Sequence, residues 1–246
     1  QDAELTERTA RWVKEAATRV PVSIKVTPLV ADLPHIACAV QKSGADAITA
    51  INTVKCIIGV DIDNFVPYPV VDGKSSYGGY SGAAIKPISL RCVAEIAKAV
   101  DMPISATGGI TTWRDAVEFL LCGARNLQVC TAAMKHGFRI IEDLTDGLSV
   151  YLEDKGMSSV EELVGLALPN IVEHSHLSRN YRPVSKINLE TCVKCDVCYI
   201  ACRDGGHQAI ALDEKRLPHV DEEKCVGCAM CAGVCPVFEC IQMAPR

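Results

Sequence analysis

CVKCDVCYIAC at residues 192–202 and CVGCAMCAGVCP at 225–236 are two copies of one pattern, C-x₂-C-x₂-C-x₃-C, with a proline after the last cysteine of the second. Three thiolates two residues apart on a tight loop can each take one iron of a four-iron cube. In such paired motifs the fourth cysteine of each set ligates the other cluster. The spacing therefore predicts two cross-braced [4Fe–4S] clusters. One rests on Cys192, Cys195, Cys198 and Cys235, the other on Cys225, Cys228, Cys231 and Cys202. Paired zinc sites would also need four ligands each and often use C-x₂-C knuckles, but zinc gives no reason for the evenly spaced third cysteine or for Cys-Pro.

Fourteen cysteines in 246 residues would otherwise suggest a disulfide scaffold. Eight fall in the two tight sets and the rest are scattered, which reads as metal ligation in a reducing compartment and points to the cytoplasm. Cys38, Cys56, Cys92, Cys122 and Cys240 read as small buried hydrophobes. A net charge of −5 gives no electrostatic reason to expect nucleic acid or an anionic membrane as partner. No apolar run reaches the roughly 18 residues of a membrane span.

Upstream of the cysteines the chain alternates between short β-branched runs and helical patterns. Helices are expected at 4–18, 34–42, 87–100, 113–121 and 138–152, with Trp12, Val13, Ala16 and Ala17 on one face of the first. Strands are expected at 22–26, 46–52, 104–106 and 127–130, and a long polar loop follows the second. Four strand–helix alternations predict a parallel sheet in an α/β layer. Each strand ends in small or polar residues: Lys25 to Thr27, Asn52 and Thr53, Thr107 to Gly109, Cys130 and Thr131. Chemistry gathered at successive strand ends is the pattern of a (β/α)₈ TIM barrel, which needs eight units. The fold expected is thus the second half of such a barrel over residues 1–184, followed by a small ferredoxin-like domain over 185–246.

A wire of one-electron centres needs something to feed. Ser23, Lys25 and Thr27 share one face of the first strand. There Lys25 either meets solvent or pairs with a group that gains negative charge, as a flavin ring does on reduction. Gly108 and Gly109 precede a helix, where backbone N–H groups and the helix dipole favour a phosphate. Cys130 and Thr131 offer a second set of donors on the next strand. The Asn52 amide can read an N–H/C=O edge such as a pyrimidine's, or it can simply cap a turn.

Together these segments resemble the NAD-dependent dihydropyrimidine dehydrogenases, in particular the bacterial subunit with an FMN barrel and a ferredoxin-like tail. The resemblance runs through SIKVTP (23–28), AINTVK (50–55), DGKSSYGGYSG (72–82), KPISLR (86–91), ATGGI (106–110) and LQVCTA (127–132). It continues in IEDLTDGL (141–148), VGLA (164–167), both cysteine sets and DGGHQAI (204–210). It implies that Lys25, Ile51, Gly82, Thr107, Gly108, Gly109, Cys130 and Thr131 contact FMN. It also implies that Asn52 and Thr53 bind the pyrimidine base, uracil or thymine, and that a hetero-oligomeric iron–sulfur partner carrying FAD and NAD(P)H supplies electrons. The family's proton-donating cysteine lies in an Asn-x-Ser-Cys-Pro motif that this sequence lacks. That cysteine and the first barrel half are expected upstream of Gln1, and residues 1–246 alone are not expected to reduce a pyrimidine. Two other readings remain: a dihydroorotate dehydrogenase-like flavoenzyme with an appended ferredoxin, and an electron carrier without flavin.

Overall fold

Four parallel strands organise the first part of the computed structural model, which describes residues 2–178 and 180–246. In chain order the elements are α1 (Ala3–Ala16), β1 (Ser23–Val26), α2 (Leu33–Lys42), β2 (Ala47–Ala50), β3 (Val54–Cys56), β4 (Val60–Asp61), β5 (Val66–Pro67) and β6 (Gly78–Tyr80). Then come α3 (Lys86–Ala99), β7 (Ile104–Thr107), α4 (Trp113–Leu121), β8 (Asn126–Gln128), α5 (Thr131–His136) and α6 (Ile140–Lys155). The main sheet runs β1-β2-β7-β8 with every neighbour parallel. Spatial order therefore follows chain order, without the reversal that marks a doubly wound sheet. Among the described residues these four strands form an open sheet.

Register gives the sheet two unlike faces. Ile24, Ile48 and Ile104 align across it, as do Val26, Ala50, Ala106 and Leu127, and this apolar face packs into the main core. The helices that supply the core's other side are well signalled. α2 starts on Asp32, whose carboxylate accepts from the His35 amide at 2.9 Å, with Pro34 in the first turn, and it buries Leu33, Ile36, Ala37 and Val40. α4 starts on a Thr112–Asp115 capping box and buries Ala116 and Phe119. The opposite face carries Lys25, Thr49, Ser105 and Asn126 in one row. Ser23 and Thr49 share a hydrogen bond of 2.8 Å there, and Gln128 Nε2 donates to Ser105 Oγ at 2.6 Å.

Several local expectations change. Trp12, Val13 and Ala16, expected to share one face of α1, are exposed, and the residue that α1 buries is Ala10. The loop after β2 holds two small antiparallel ribbons, β3 with β6 and β4 with β5. β8 stops at Gln128, and the chain then turns into α5, a helix the sequence pattern does not predict.

The chain divides into compact units of residues 1–171 and 172–246. The composition shift near 184 thus lies inside the second unit, because the polar connection before it groups with the cysteine-rich segment. That unit contains β9 (Pro183–Ile187), α7 (Val197–Asp204), β10 (Ile210–Leu212), β11 (Pro218–Val220), α8 (Met230–Val234) and β12 (Ile241–Pro245). β9 pairs with β12 and β10 with β11, both antiparallel. Its core is built from Cys198, Ile210, Cys231, Cys240 and Ile241. No helix among the described residues is long and apolar enough to cross a membrane.

Candidate functional site

Parallel strands point their C-terminal ends the same way, and Lys25 of β1 with the segments following β2, β7 and β8 walls one concavity. All eight residues expected to touch FMN lie on it: Lys25, Ile51, Gly82, Thr107, Gly108, Gly109, Cys130 and Thr131. Thr53 joins them. Asn52 does not, and its side-chain oxygen accepts from the Thr53 amide at 2.9 Å, the turn-capping arrangement. Ser81 and Gln128, which belong to no expected site, also line the wall. Thr131 Oγ1 donates to Ser81 Oγ at 2.9 Å and so ties the loop before Gly82 to the start of α5. Gln128 stands two residues before Cys130, so the period-two rule of a strand could have found it.

The glycine turn is held from behind. Gly109 has φ +94°, and a Cβ there would stand 2.6 Å from the Lys86 backbone nitrogen; one on Gly108 would overlap Ser89 Oγ. The turn therefore presses against the first turns of α3, and only glycine fits. Among the described residues the amides of Gly108, Gly109 and Cys130 make no hydrogen bond, which leaves donors for an anionic ligand. The α4 N-terminus itself contributes less than the sequence suggested. Asp115 Oδ2 already accepts from the amides of Thr111 and Thr112 and from the Thr111 hydroxyl, at 2.8–2.9 Å. Asp115 Oδ1 also meets Lys86 Nζ at 2.7 Å, and Glu118 shares that ammonium at 2.9 Å. Burial pushes Asp115 up, but Lys86 and the Thr111 and Thr112 donors outweigh it and hold the carboxyl at about 2. Lys86 is likewise raised: burial works against its charge, and the Asp115 and Glu118 carboxylates prevail.

Lys25 is exposed on the polar sheet face and, among the described residues, has no hydrogen-bonding or ionic partner. An ammonium, a row of hydroxyls and two sets of donor amides around one concavity fit a ligand with a phosphate and an electron-accepting ring. A Cβ-free cradle at Gly108 and Gly109 suits close approach of that phosphate.

In the second unit the cysteines sort into two cavities. Cys192, Cys195, Cys198 and Cys235 line one; Cys202, Cys225, Cys228 and Cys231 line the other. The fourth cysteine of each sequence set thus sits with the first three of the opposite set. The loops also repeat in backbone shape. Lys194 and Asp196 have φ +58° and +63°, and their counterparts Gly227 and Ala229 have +72° and +58°. These left-handed turns direct successive thiols inward. Four cysteines lining one cavity suit a four-iron cube, which gives each thiolate its own iron. Burial pushes the Cys198 thiol up to about 11; the Tyr199 amide pulls against this, and Cys192, Cys195 and Cys231 add to it. Four crowded thiolates need cations, and iron supplies them. Cys240 also lines the first cavity, but its Sγ bonds the Asn188 carbonyl oxygen at 3.5 Å.

Comparison with known proteins agrees with both halves. The chain is 50% identical, over 99% of its length, to the NAD-dependent dihydropyrimidine dehydrogenase subunit PreA of Escherichia coli (strain K12), and covers 60% of that relative. It is 45% identical over 68% of its length to the dihydroorotate dehydrogenase B (NAD(+)) catalytic subunit of Pyrococcus abyssi, 54% of which is covered. The chain therefore spans only about three-fifths of the first of these relatives. Residues 185–243 match the 4Fe-4S dicluster domain. Residues 1–152 match the dihydroorotate dehydrogenase family model, and the chain belongs to that family.

Proposed function

We propose that this chain is the flavin- and cluster-bearing part of a dihydropyrimidine dehydrogenase, which reduces uracil or thymine to the 5,6-dihydropyrimidine. The observation carrying the reading is the joint presence of the eight-residue concavity and the two four-cysteine cavities in one chain. FMN bound in the concavity would supply the hydride for the pyrimidine ring. Lys25 would stabilise negative charge on the reduced ring, and the Gly108, Gly109 and Cys130 amides would hold the phosphate. Thr53 on the wall, with Asn52 beside it, would meet the base. The two clusters would relay single electrons from a hetero-oligomeric partner that carries FAD and binds NAD(P)H. The proton donor is assigned outside this chain, to a cysteine of the complete enzyme. The polar sheet face and the unreversed strand order support reading the sheet as half of a TIM barrel. All fourteen cysteines are free, which suits a cytoplasmic enzyme.

A second reading, oxidation of dihydroorotate, draws on the family model. Steady-state assays of the complete enzyme separate the two. Turnover of uracil or thymine with NAD(P)H supports the proposal, and activity on dihydroorotate alone overturns it. Iron–sulfur absorbance without any flavin band would favour a plain electron carrier.

A further inference from the structure

Ser185 lies on β9 and is only 2% exposed. A hydroxyl buried this deeply is costly unless it is hydrogen-bonded. Among the described residues its side chain has one partner: the Cys231 thiol donates to Ser185 Oγ, 3.3 Å away. With a thiol at Cys231 either group can donate; with a thiolate only the hydroxyl can. A second donor reaches the same ligand set, for the Ala209 amide stands 3.3 Å from Cys202 Sγ. Cys198 holds the equivalent place in the other sequence repeat and is equally buried. Its sulfur accepts from the Tyr199 amide, as Cys202 does from Ala209, but among the described residues no side chain donates to it, or to Cys192, Cys195 or Cys235. The two cavities are thus alike in backbone, in ligand number and in having a backbone amide at one sulfur, and they differ in the side-chain hydroxyl that stands beside Cys231.

Hydrogen bonds to the ligand sulfurs are among the factors that set a cluster's potential. Reduction adds negative charge to iron and sulfur, so a donor at sulfur binds the reduced state more strongly and raises the potential. We propose that the Ser185 hydroxyl donates to the Cys231 thiolate and places the cluster of Cys202, Cys225, Cys228 and Cys231 at the higher potential of the two. Within the pair one electron then passes from the cluster of Cys192, Cys195, Cys198 and Cys235, which is oxidised, to this one, which is reduced. No bond is made or broken. The inference rests on the reading of both cavities as [4Fe–4S] sites, and Ser185 acts as a positioning and tuning residue rather than a catalytic one.

The test is an EPR-monitored redox titration of the cluster-loaded protein, wild type beside Ser185→Ala and Ser185→Thr, with iron and sulfide determined on each. Ser185→Ala should lower the higher of the two potentials and leave the lower one in place. Ser185→Thr, which keeps the hydroxyl, should restore the wild-type value. Full cluster content with both potentials unmoved in Ser185→Ala would overturn the inference alone. So would a shift confined to the lower-potential cluster. Wild-type protein that binds zinc, or no iron, would overturn the cluster reading beneath it. If Ser185→Ala fails to fold, Ser185→Cys decides in its place: its weaker S–H donor should lower the higher potential, and an unmoved potential at full cluster content overturns the inference.

Discussion

At Gly109 a single methyl group tests the anion cradle. Alanine there would need a left-handed backbone and would press on the Lys86 backbone, which cannot swing away as a side chain can. Strain of this kind costs on the order of 1–3 kcal/mol. Gly109→Ala should lower the melting temperature and reduce the FMN retained after desalting, read by flavin fluorescence. Asp115 behind the turn gives a pH-dependent prediction. Its folded value near 2 lies below the ordinary 3.8, so its contribution is fully present above pH 4 and is lost as pH falls towards 2. The side chain is 9% exposed, and the shift corresponds to roughly 2 kcal/mol. Asp115→Asn should remove that stability at neutral pH and flatten the decline between pH 4 and 2. Urea unfolding followed by the fluorescence of Trp113, the first residue of α4, measures both.

Among the elements, the cross-bracing of the two cysteine sets makes the sharper prediction. Cys202 follows Cys198 on α7, yet it lines the cavity of Cys225, Cys228 and Cys231. Cys202→Ala should therefore impair the cluster of the later set and spare the one at Cys192, Cys195 and Cys198, with Cys235→Ala doing the converse. Iron content and EPR of the two variants read this, and loss of the nearer cluster would contradict the pairing. The grouping of the cysteines into these two cavities was legible from spacing alone, because the motif is local and repeated. The helices α2 and α4 were legible too, since Asp32 with Pro34 and Thr112 with Asp115 mark their starts chemically. The short ribbons after β2 and the six-residue α5 were not, because two or three strand residues or a single turn and a half leave no period to count. The exposure of Trp12 was hidden as well: an apolar stripe shows that a helix has a face, not what lies against it. The occupied state of the α4 N-terminus depended on Asp115 folding back, a contact between side chain and backbone that spacing only hints at.

For the whole molecule, the sheet's polar face is the feature that links fold to function. Parallel sheets usually bury both faces against helices, and strands then read as continuous apolar runs. Here Lys25, Thr49, Ser105 and Asn126 form a polar row opposite the isoleucine row, leading up to the concavity at the strand ends. On the proposed reading, a ligand with a charged ring and a phosphate would give that row a purpose, and the second unit's paired thiol cavities would give the ligand a source of electrons. The central claim is that the two centres occur together. It is tested most directly by metal, sulfide and flavin analysis of the complete enzyme containing this chain. The account predicts about eight iron atoms and about eight inorganic sulfides per chain, as two four-iron clusters require, with FMN released on denaturation. Zinc in place of iron, or clusters without FMN, would contradict it.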